Sequence, residues 1–132
     1  MKIKFLLIFL IGHTINATAA RIDTLKIMSP SMQKIIPNLV IIPDSYSASA
    51  KKYPVLYLLH GATDDYKGWV TKVPSIKSYA DQYNFIIVCP DGGYTSWYFD
   101  SPIDKQMQYE TYISKELVGT IDHKYNTLAQ KR

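Results

Sequence analysis

Two runs in the first half of the chain predict strands. Residues 21–29, RIDTLKIMS, alternate between two sets of side chains, and a period of two is that of a strand. Residues 34–43, KIIPNLVIIP, are a second β-rich run, and its prolines favour a place toward the edge of a sheet. We expect these two strands to pair antiparallel.

Two later runs are apolar without a break. Residues 53–61, YPVLYLLHG, and residues 85–93, FIIVCPDGG, fit strands of a sheet that helices cover on both faces. The segment between them, PSIKSYADQY, begins with Pro74, which suits the first turn of a helix. The predicted apolar face of this helix holds Ile76, Tyr79, Ala80 and Tyr83. The order strand, helix, strand predicts an α/β fold.

A longer helix is predicted over residues 109–125, YETYISKELVGTIDHKY. Apolar residues recur there at every fourth position, namely Tyr109, Ile113, Leu117, Ile121 and Tyr125. A stripe of this kind packs on a sheet. A further strand is expected after the helix, and the sequence ends at Arg132 instead.

The first 20 residues predict a secretory signal peptide. MKIKFLLIFLIGHTINATAA contains two lysines, an apolar run from Phe5 to Ile11, and small residues before Arg21. The apolar run is far shorter than the roughly 20 residues of a membrane span, and no later segment supplies a span. We expect a soluble, secreted or periplasmic protein whose mature chain begins at Ala20 or Arg21, so that residues 21–132 form the folded part.

Charge and cysteine content narrow the range of functions. The formal net charge of +4 falls once Lys2 and Lys4 leave with the signal peptide, and a balance this small excludes a nucleic-acid-binding protein on charge. The single cysteine, Cys89, can form no internal disulfide bond. It lies in an apolar run, as a small core residue does.

Candidate chemistry lies where the two unbroken apolar strands end. In an open parallel sheet, ligands bind beyond the carboxyl ends of the strands, which are here residues 60–62, His-Gly-Ala, and residues 90–93, Pro-Asp-Gly-Gly. No HxxxH or CxxC spacing gives His60 the companions that a metal site requires. Neither GxGxxG nor GxxxxGK[ST] follows a strand, so no phosphate or dinucleotide site is predicted, and no cofactor is expected.

The end of the first of these strands fits one half of an acyl-transfer site. A backbone N–H just after a strand that ends in His, Gly and a small residue can complete an oxyanion hole. The nucleophile of such a site stands on a GxSxG turn, and the 132 residues contain none. His60 is therefore open to three interpretations: a catalytic base, a metal ligand, or the floor of a site whose reacting groups lie elsewhere.

Four segments, in their order and spacing, resemble the putative-esterase family of α/β hydrolases. They are YPVLYLLHG, DDYKGW, IIVCPDGGYTSWYFDSP and YETYISKELVGTID. The family includes S-formylglutathione hydrolase (esterase D), feruloyl and other carbohydrate esterases, and the mycolyltransferases. The resemblance covers nearly all of residues 35–132. It implies the N-terminal half of an α/β-hydrolase fold, with antiparallel strands, then parallel strands and flanking helices, truncated before the nucleophile elbow.

The resemblance also implies roles for the residues at the first strand end. Gly61 matches the oxyanion turn, and Ala62 matches the position whose backbone N–H faces the developing oxyanion. His60 matches the residue before that glycine, where its role is structural. The alternative is that Gly61 and Ala62 form only a tight turn.

The loop after the second strand is aromatic. It places Trp97 and Tyr98, together with Ser96, beside that strand end, where flat amphipathic rings suit a sugar or an aromatic acyl group. The alternative is that the rings only pack against the wall of the site.

Four further residues are expected to support the site. Asp64, Asp65 and Trp69 fit a turn and a short helix beneath the oxyanion loop. Glu110 matches a family-typical position in the long helix, and we expect it to hold the loop by hydrogen bonds rather than to catalyse.

The predicted function is that of an exported serine esterase, represented by its N-terminal half and inactive alone. A serine, a histidine and an acidic residue outside this sequence would complete it. Its substrates are expected to be small-molecule or glycan esters, with no nucleic-acid partner, no membrane span and no cofactor. The alternative is a non-enzymatic truncated gene product, or a fragment that binds glycans through Trp97 and Tyr98.

Overall fold

A computed structural model describes residues 19–47 and 51–129. Its sheet consists of β1 (Arg21–Ser29), β2 (Lys34–Ile42), β3 (Val55–Tyr57) and β4 (Ile86–Pro90). Its helices are α1 (Gly68–Lys72), α2 (Ile76–Tyr83), α3 (Tyr109–Thr111), a π-helical segment (Tyr112–Leu117) and α4 (Val118–Lys124). The predicted signal peptide, apart from its last two residues, lies outside the described residues.

The sheet is mixed, and its strands lie side by side in the order β1-β2-β4-β3. β1 pairs antiparallel with β2, as predicted, and β2 pairs antiparallel with β4. β3 and β4 are parallel, with Val55 opposite Ile86. Antiparallel strands followed by a parallel pair with flanking helices confirm the predicted fold class.

The expectation that prolines keep the second strand toward an edge is wrong, because β2 lies between β1 and β4. The carbonyl of Pro37 accepts a hydrogen bond from the Asp91 N–H, 3.1 Å away, so the nitrogen of Pro37 faces the same side of the strand. Regular pairing of β2 with β4 ends at Pro90, one position earlier. A missing N–H at that point interrupts no ladder, and an interior strand tolerates the proline.

β3 is shorter than the apolar run that predicts it. Three residues are paired as a strand, and the Leu58 N–H adds one more hydrogen bond to the carbonyl of Val88 at 2.9 Å. On the side of the sheet away from β4, one parallel bridge joins Tyr53 and Thr127. In the described part of the chain, that bridge is all that occupies the place of the strand expected after the long helix. Leu56 is 40% exposed.

Apolar side chains fill both faces of the sheet. In β4, Ile86 and Val88 pack against the helices that follow residue 108, whereas Ile87 and Cys89 pack against α2. Cys89 is fully buried, which confirms it as a core residue, and burial raises the pKa of its thiol to about 11. The thiol therefore stays protonated and unreactive at neutral pH.

The face that α2 buries is narrower than predicted. Ile76 and Ala80 are buried, whereas Tyr79 and Tyr83 are 47% and 56% exposed. Ile76 and Ala80 are four residues apart and form a single row along a helix of two turns. Only this row of the helix packs on the sheet. The tyrosines lie beside that row.

The long helix follows the recurrence at every fourth residue because it contains a π-helical segment. Four residues of an α-helix turn through about 400°, so a strict period of four drifts by about 40° at each step. The wider π-helical turns of Tyr112–Leu117 offset this drift. They also bury Tyr112 completely, which the pattern did not predict, with its hydroxyl 2.8 Å from Nδ2 of Asn38.

Candidate active site

The imidazole of His60 joins the ends of β3 and β4. Its Nε2 accepts a hydrogen bond from the Gly92 N–H at 2.9 Å, and its Nδ1 lies 2.8 Å from the carbonyl oxygen of Gly61. Both contacts are hydrogen bonds when Nδ1 carries the proton and Nε2 is bare. The ring is also buried, at 6% exposure. With both nitrogens engaged, His60 is a structural group in this arrangement, and of the three interpretations the floor of the site fits.

A glycine is required at position 92. A Cβ atom there would lie 2.1 Å from the ring of Tyr98, well inside van der Waals contact. The hydroxyl of Tyr98 donates to the carbonyl of His60 at 3.1 Å. Burial raises the pKa of Tyr98 to about 12, so the phenol keeps the proton that it donates. His60, Gly92 and Tyr98 thus form one closed set of contacts.

The aromatic loop is held from inside by Ser96. Its hydroxyl donates to the carbonyl of Gly92 and accepts from the Tyr98 N–H at 3.0 Å. Trp97 and Tyr98 both have φ of 55°, a left-handed conformation that costs about 1–3 kcal/mol for a residue other than glycine. The loop therefore depends on these hydrogen bonds. It leaves the Trp97 side chain 79% exposed.

The predicted oxyanion turn is fixed on both sides of Ala62. The Asp64 N–H donates to the Gly61 carbonyl at 3.3 Å, and the Thr63 N–H donates to the Tyr94 carbonyl at 3.0 Å. The Ala62 N–H itself has no hydrogen-bond partner among residues 19–47 and 51–129. Nothing lies within 4 Å of a Cβ built on Gly61, so the space beside the turn is open.

The two strand ends enclose a groove with a volume of about 240 Å³. Residues 60–62 line one wall and residues 93–98 line the other. All five predicted site residues are therefore brought together here: Gly61, Ala62, Ser96, Trp97 and Tyr98. The hydroxyls of Ser96 and Tyr98 are already engaged within the protein, so contact of these two residues with a substrate stays a prediction. Ala62, whose N–H is unpaired, and the exposed Trp97 both line the groove.

The turn and short helix beneath the oxyanion loop are present as predicted. Asp64 accepts a hydrogen bond from Lys72 at 2.6 Å, which lowers the pKa of this carboxyl group. Asp65 accepts from the Lys67 N–H at 2.7 Å, just before α1. The indole of Trp69 donates to the carbonyl of Leu59 at 3.0 Å. These contacts attach α1 to the chain on both sides of the groove wall.

The role expected for Glu110 belongs to Asp100. Glu110 is exposed, and its carboxylate makes no hydrogen bond with any described residue. Asp100 instead accepts from the Thr111 hydroxyl at 2.6 Å and from the Thr111 N–H at 3.0 Å, and these bonds lower its pKa. Asp100 thereby connects the end of the aromatic loop to α3. Its partner lies 11 residues away, too far for a local sequence signal.

Within the described ranges, no three His, Cys, Asp or Glu side chains stand close enough together to hold a metal ion. Of the helices in those ranges, none has the length and apolar character to cross a membrane.

A protein-family model and curated proteins match this chain. The model of the family described as "Putative esterase" matches residues 29–132. An esterase of Mycobacterium tuberculosis is 33% identical over 94 residues, which are 69% of this chain and 20% of that protein. The diacylglycerol acyltransferase/mycolyltransferase Ag85A of Mycobacterium bovis is 32% identical over 107 residues, covering 74% and 30% of the two chains. The chain thus spans less than a third of the length of these relatives.

Solved structures share the fold. A ferulic acid esterase superposes with a TM-score of 0.72 and 28% identity, over 84% of this chain and 45% of that one. An S-formylglutathione hydrolase from Agrobacterium tumefaciens gives a TM-score of 0.71 over 84% and 48% of the two chains. Its 18% identity supports similarity of fold alone.

Proposed function

The chain belongs to the putative-esterase family, and from this premise we propose that it forms the oxyanion side of a serine esterase active site. One observation carries the proposal. The Ala62 N–H lacks a hydrogen-bond partner among the described residues, and Ala62 lines an open groove. A donor left unpaired beside open space is available to a substrate oxygen.

The proposed role is electrostatic. When an ester carbonyl is attacked, its oxygen gains negative charge, and a fixed N–H about 3 Å away stabilises that charge in the transition state. The hydrogen bonds at the Gly61 carbonyl and at the Thr63 N–H, on either side of Ala62, keep this donor in place before substrate arrives. The imidazole of His60 also holds the turn in place, because it accepts a hydrogen bond from the Gly92 N–H.

The attacking serine, its histidine base and the acidic residue that orients the histidine are proposed to come from sequence outside these 132 residues. No GxSxG turn is present among them to carry a nucleophile. The chain alone is therefore proposed to be inactive, since an oxyanion donor without a nucleophile forms no acyl-enzyme.

The substrate proposed is an ester of an aromatic acid or of a sugar. Trp97 is 79% exposed at the groove, and an indole ring stacks on either kind of group. The structural match to a ferulic acid esterase supports this class. The sequence of residues 1–20 supports export, which would place the enzyme outside the cytoplasm.

A fusion tests the proposal. The chain is joined to the C-terminal part of the similar ferulic acid esterase, beginning at the strand before its GxSxG turn. We expect the fusion to hydrolyse nitrophenyl acetate and methyl ferulate and to react with a fluorophosphonate probe at the GxSxG serine. Controls are the unfused chain and a fusion whose GxSxG serine is alanine. Neither should hydrolyse the esters or react with the fluorophosphonate probe.

Two outcomes would contradict the proposal. A folded fusion without hydrolysis would argue against the oxyanion role, and stoichiometric fluorophosphonate labelling of the unfused chain would show a nucleophile of its own. Binding of xylo-oligosaccharides by the unfused chain without labelling, abolished by Trp97→Ala, would support the glycan-binding alternative, which the exposure of Trp97 also favours.

A further inference from the structure

The first described residues belong to the folded domain and not to a loose tail. Ala20 is fully buried and belongs to the apolar cluster between the sheet and α2 that also contains Ile41, Ile87 and Ala80. The nitrogen of Ala20 lies 3.0 Å from Oδ2 of Asp81, on α2. Removal of Ala20 would leave a gap in this cluster and would take a donor from Asp81.

The carboxylate of Asp81 has unused capacity for positive charge. Its Oδ1 accepts the Asp44 N–H at 2.7 Å, and its Oδ2 accepts the Ala20 N–H. The ion pairs among the described residues are Arg21 with Asp23 and Lys72 with Asp64, so no lysine or arginine pairs with Asp81 there. A carboxylate binds a charged donor more strongly than a neutral amide.

The sequence before Ala20 has the form of a signal-peptidase site. Ala17-Thr18-Ala19 is an A-x-A run that follows an apolar segment and a polar stretch, and cleavage occurs after the last small residue of such a run. Hydrolysis of the Ala19–Ala20 bond adds water: the hydroxyl goes to the carbonyl of Ala19, and the nitrogen of Ala20 becomes a primary amine that takes a proton. The new ammonium group would form at the atom that already lies 3.0 Å from Asp81.

We propose that the chain is processed between Ala19 and Ala20 and that the new α-ammonium group forms an ion pair with Asp81, which fixes the start of β1 to α2. The inference rests on the export proposed above. It adds the position of cleavage and the residue that binds the new terminus, Asp81. It also chooses between the two predicted mature termini. Cleavage before Arg21 would discard the buried methyl group and the donor, whereas cleavage before Ala20 keeps both and adds a charge.

The position of cleavage is tested by intact mass. The full 132-residue chain is expressed in a bacterial host that exports proteins, and the periplasmic fraction is analysed by mass spectrometry with sequencing of the N-terminal peptide. A mature chain that begins at Ala20 is expected. A mature chain that begins at Arg21 would overturn this inference and leave export intact, whereas an unprocessed chain retained in the cytoplasm would overturn both.

The ion pair is tested by the reactivity of the α-amine in that exported protein. Limiting acetic anhydride is applied at neutral pH, and acetylation of the N-terminal peptide is measured against the lysine side chains of the same molecule. Asp81→Asn should raise the relative rate about fivefold, the scale of one partly exposed ion pair. The control Asp23→Asn removes a nearby carboxylate charge that pairs with Arg21 rather than with the nitrogen of Ala20, and should change the rate less than twofold.

A second variant keeps this test decisive if Asp81→Asn folds poorly. Asp81→Glu retains the charge, and its rate should stay near that of the wild type. Equal acetylation rates for the wild type and a folded Asp81→Asn variant would overturn the ion pair, and so would equal increases in the Asp81 and Asp23 variants.

Discussion

The bare Nε2 of His60 lies 2.9 Å from the backbone nitrogen of Gly92, so a histidine at the end of one strand caps the amide at the end of its neighbour. Together with the bonds from the Thr63 N–H to the Tyr94 carbonyl and from the Tyr98 hydroxyl to the His60 carbonyl, this hydrogen bond connects the oxyanion turn to the aromatic loop. Its donor is buried, so removal of the imidazole would leave this amide without a protein partner. His60 thus has a structural role, although its position next to the oxyanion turn suggests a catalytic one.

His60→Ala should lower the stability of the active fusion by about 1–3 kcal/mol, the cost of leaving a buried amide without a partner. His60→Gln should lose less, because a side-chain amide oxygen can accept the Gly92 N–H. Urea unfolding followed by fluorescence measures both. The exposed His123→Ala serves as the control, and a His60→Gln fusion that folds fully but has no turnover would show that the imidazole is catalytic.

Ala62→Pro removes the proposed oxyanion donor. Turnover of the fusion on nitrophenyl acetate should fall roughly 10²- to 10³-fold, as expected for the loss of one oxyanion hydrogen bond. Ala62→Gly keeps the N–H and should retain most of the activity. Circular dichroism must first show that the proline variant is folded, and a folded proline variant with normal turnover would remove Ala62 from the mechanism.

Trp97→Ala should act on substrate choice and not on stability. The ring is 79% exposed, so its loss should change the free energy of unfolding by less than about 0.5 kcal/mol. For methyl ferulate, kcat/KM should fall about tenfold, whereas for nitrophenyl acetate it should change little, since its acetyl group has no ring to stack on the indole. Tyr79→Ala, an exposed aromatic residue on α2, is the comparison that should affect neither ester.

Asp100→Asn should destabilise the protein in a manner that depends on pH. The bonds from Thr111 favour the charged carboxylate and lower its pKa in the folded state, so its contribution is complete above the unfolded value of 3.8 and is lost as the pH falls through the folded value. The wild type should therefore exceed Asp100→Asn in Tm at pH 7, and the gap should shrink below about pH 4. Glu110→Gln removes a nearby unpaired charge and should show no such gap.

The elements could be predicted from the sequence where local period decided them. The alternation of RIDTLKIMS coincides with β1, and the recurrence at every fourth residue marks the long helix from Tyr109 onward. The pairing of β2 between β1 and β4 could not be predicted in this way, because it depends on a partner strand nearly fifty residues later. A proline such as Pro37 has an edge preference only on average, and the actual end of β4 decides whether its missing N–H matters.

The candidate site, too, could be predicted from the sequence only in part. Gly61 and Ala62 follow a recognisable strand ending, and the structure brings them into one groove with Trp97. Asp100 and the pair formed by Tyr112 and Asn38 were missed, since each is defined by a contact between distant parts of the chain. The periodicity of a sequence cannot predict a hydrogen bond between Asn38 on an interior strand and Tyr112, which lies in a helix 74 residues further on.

The spatial order of the strands also determines when each strand can pair as the chain is synthesised. β1 and β2 are joined by a short turn and can form a hairpin as soon as both have emerged from a ribosome or a translocation channel. β3 cannot pair so early, since its partner β4 begins only at Ile86. At roughly 5–20 residues per second, the apolar run before His60 waits a few seconds for that partner. During this interval the run YLL is a target for holdase chaperones, so the nascent chain should depend on them most between the emergence of β3 and that of β4.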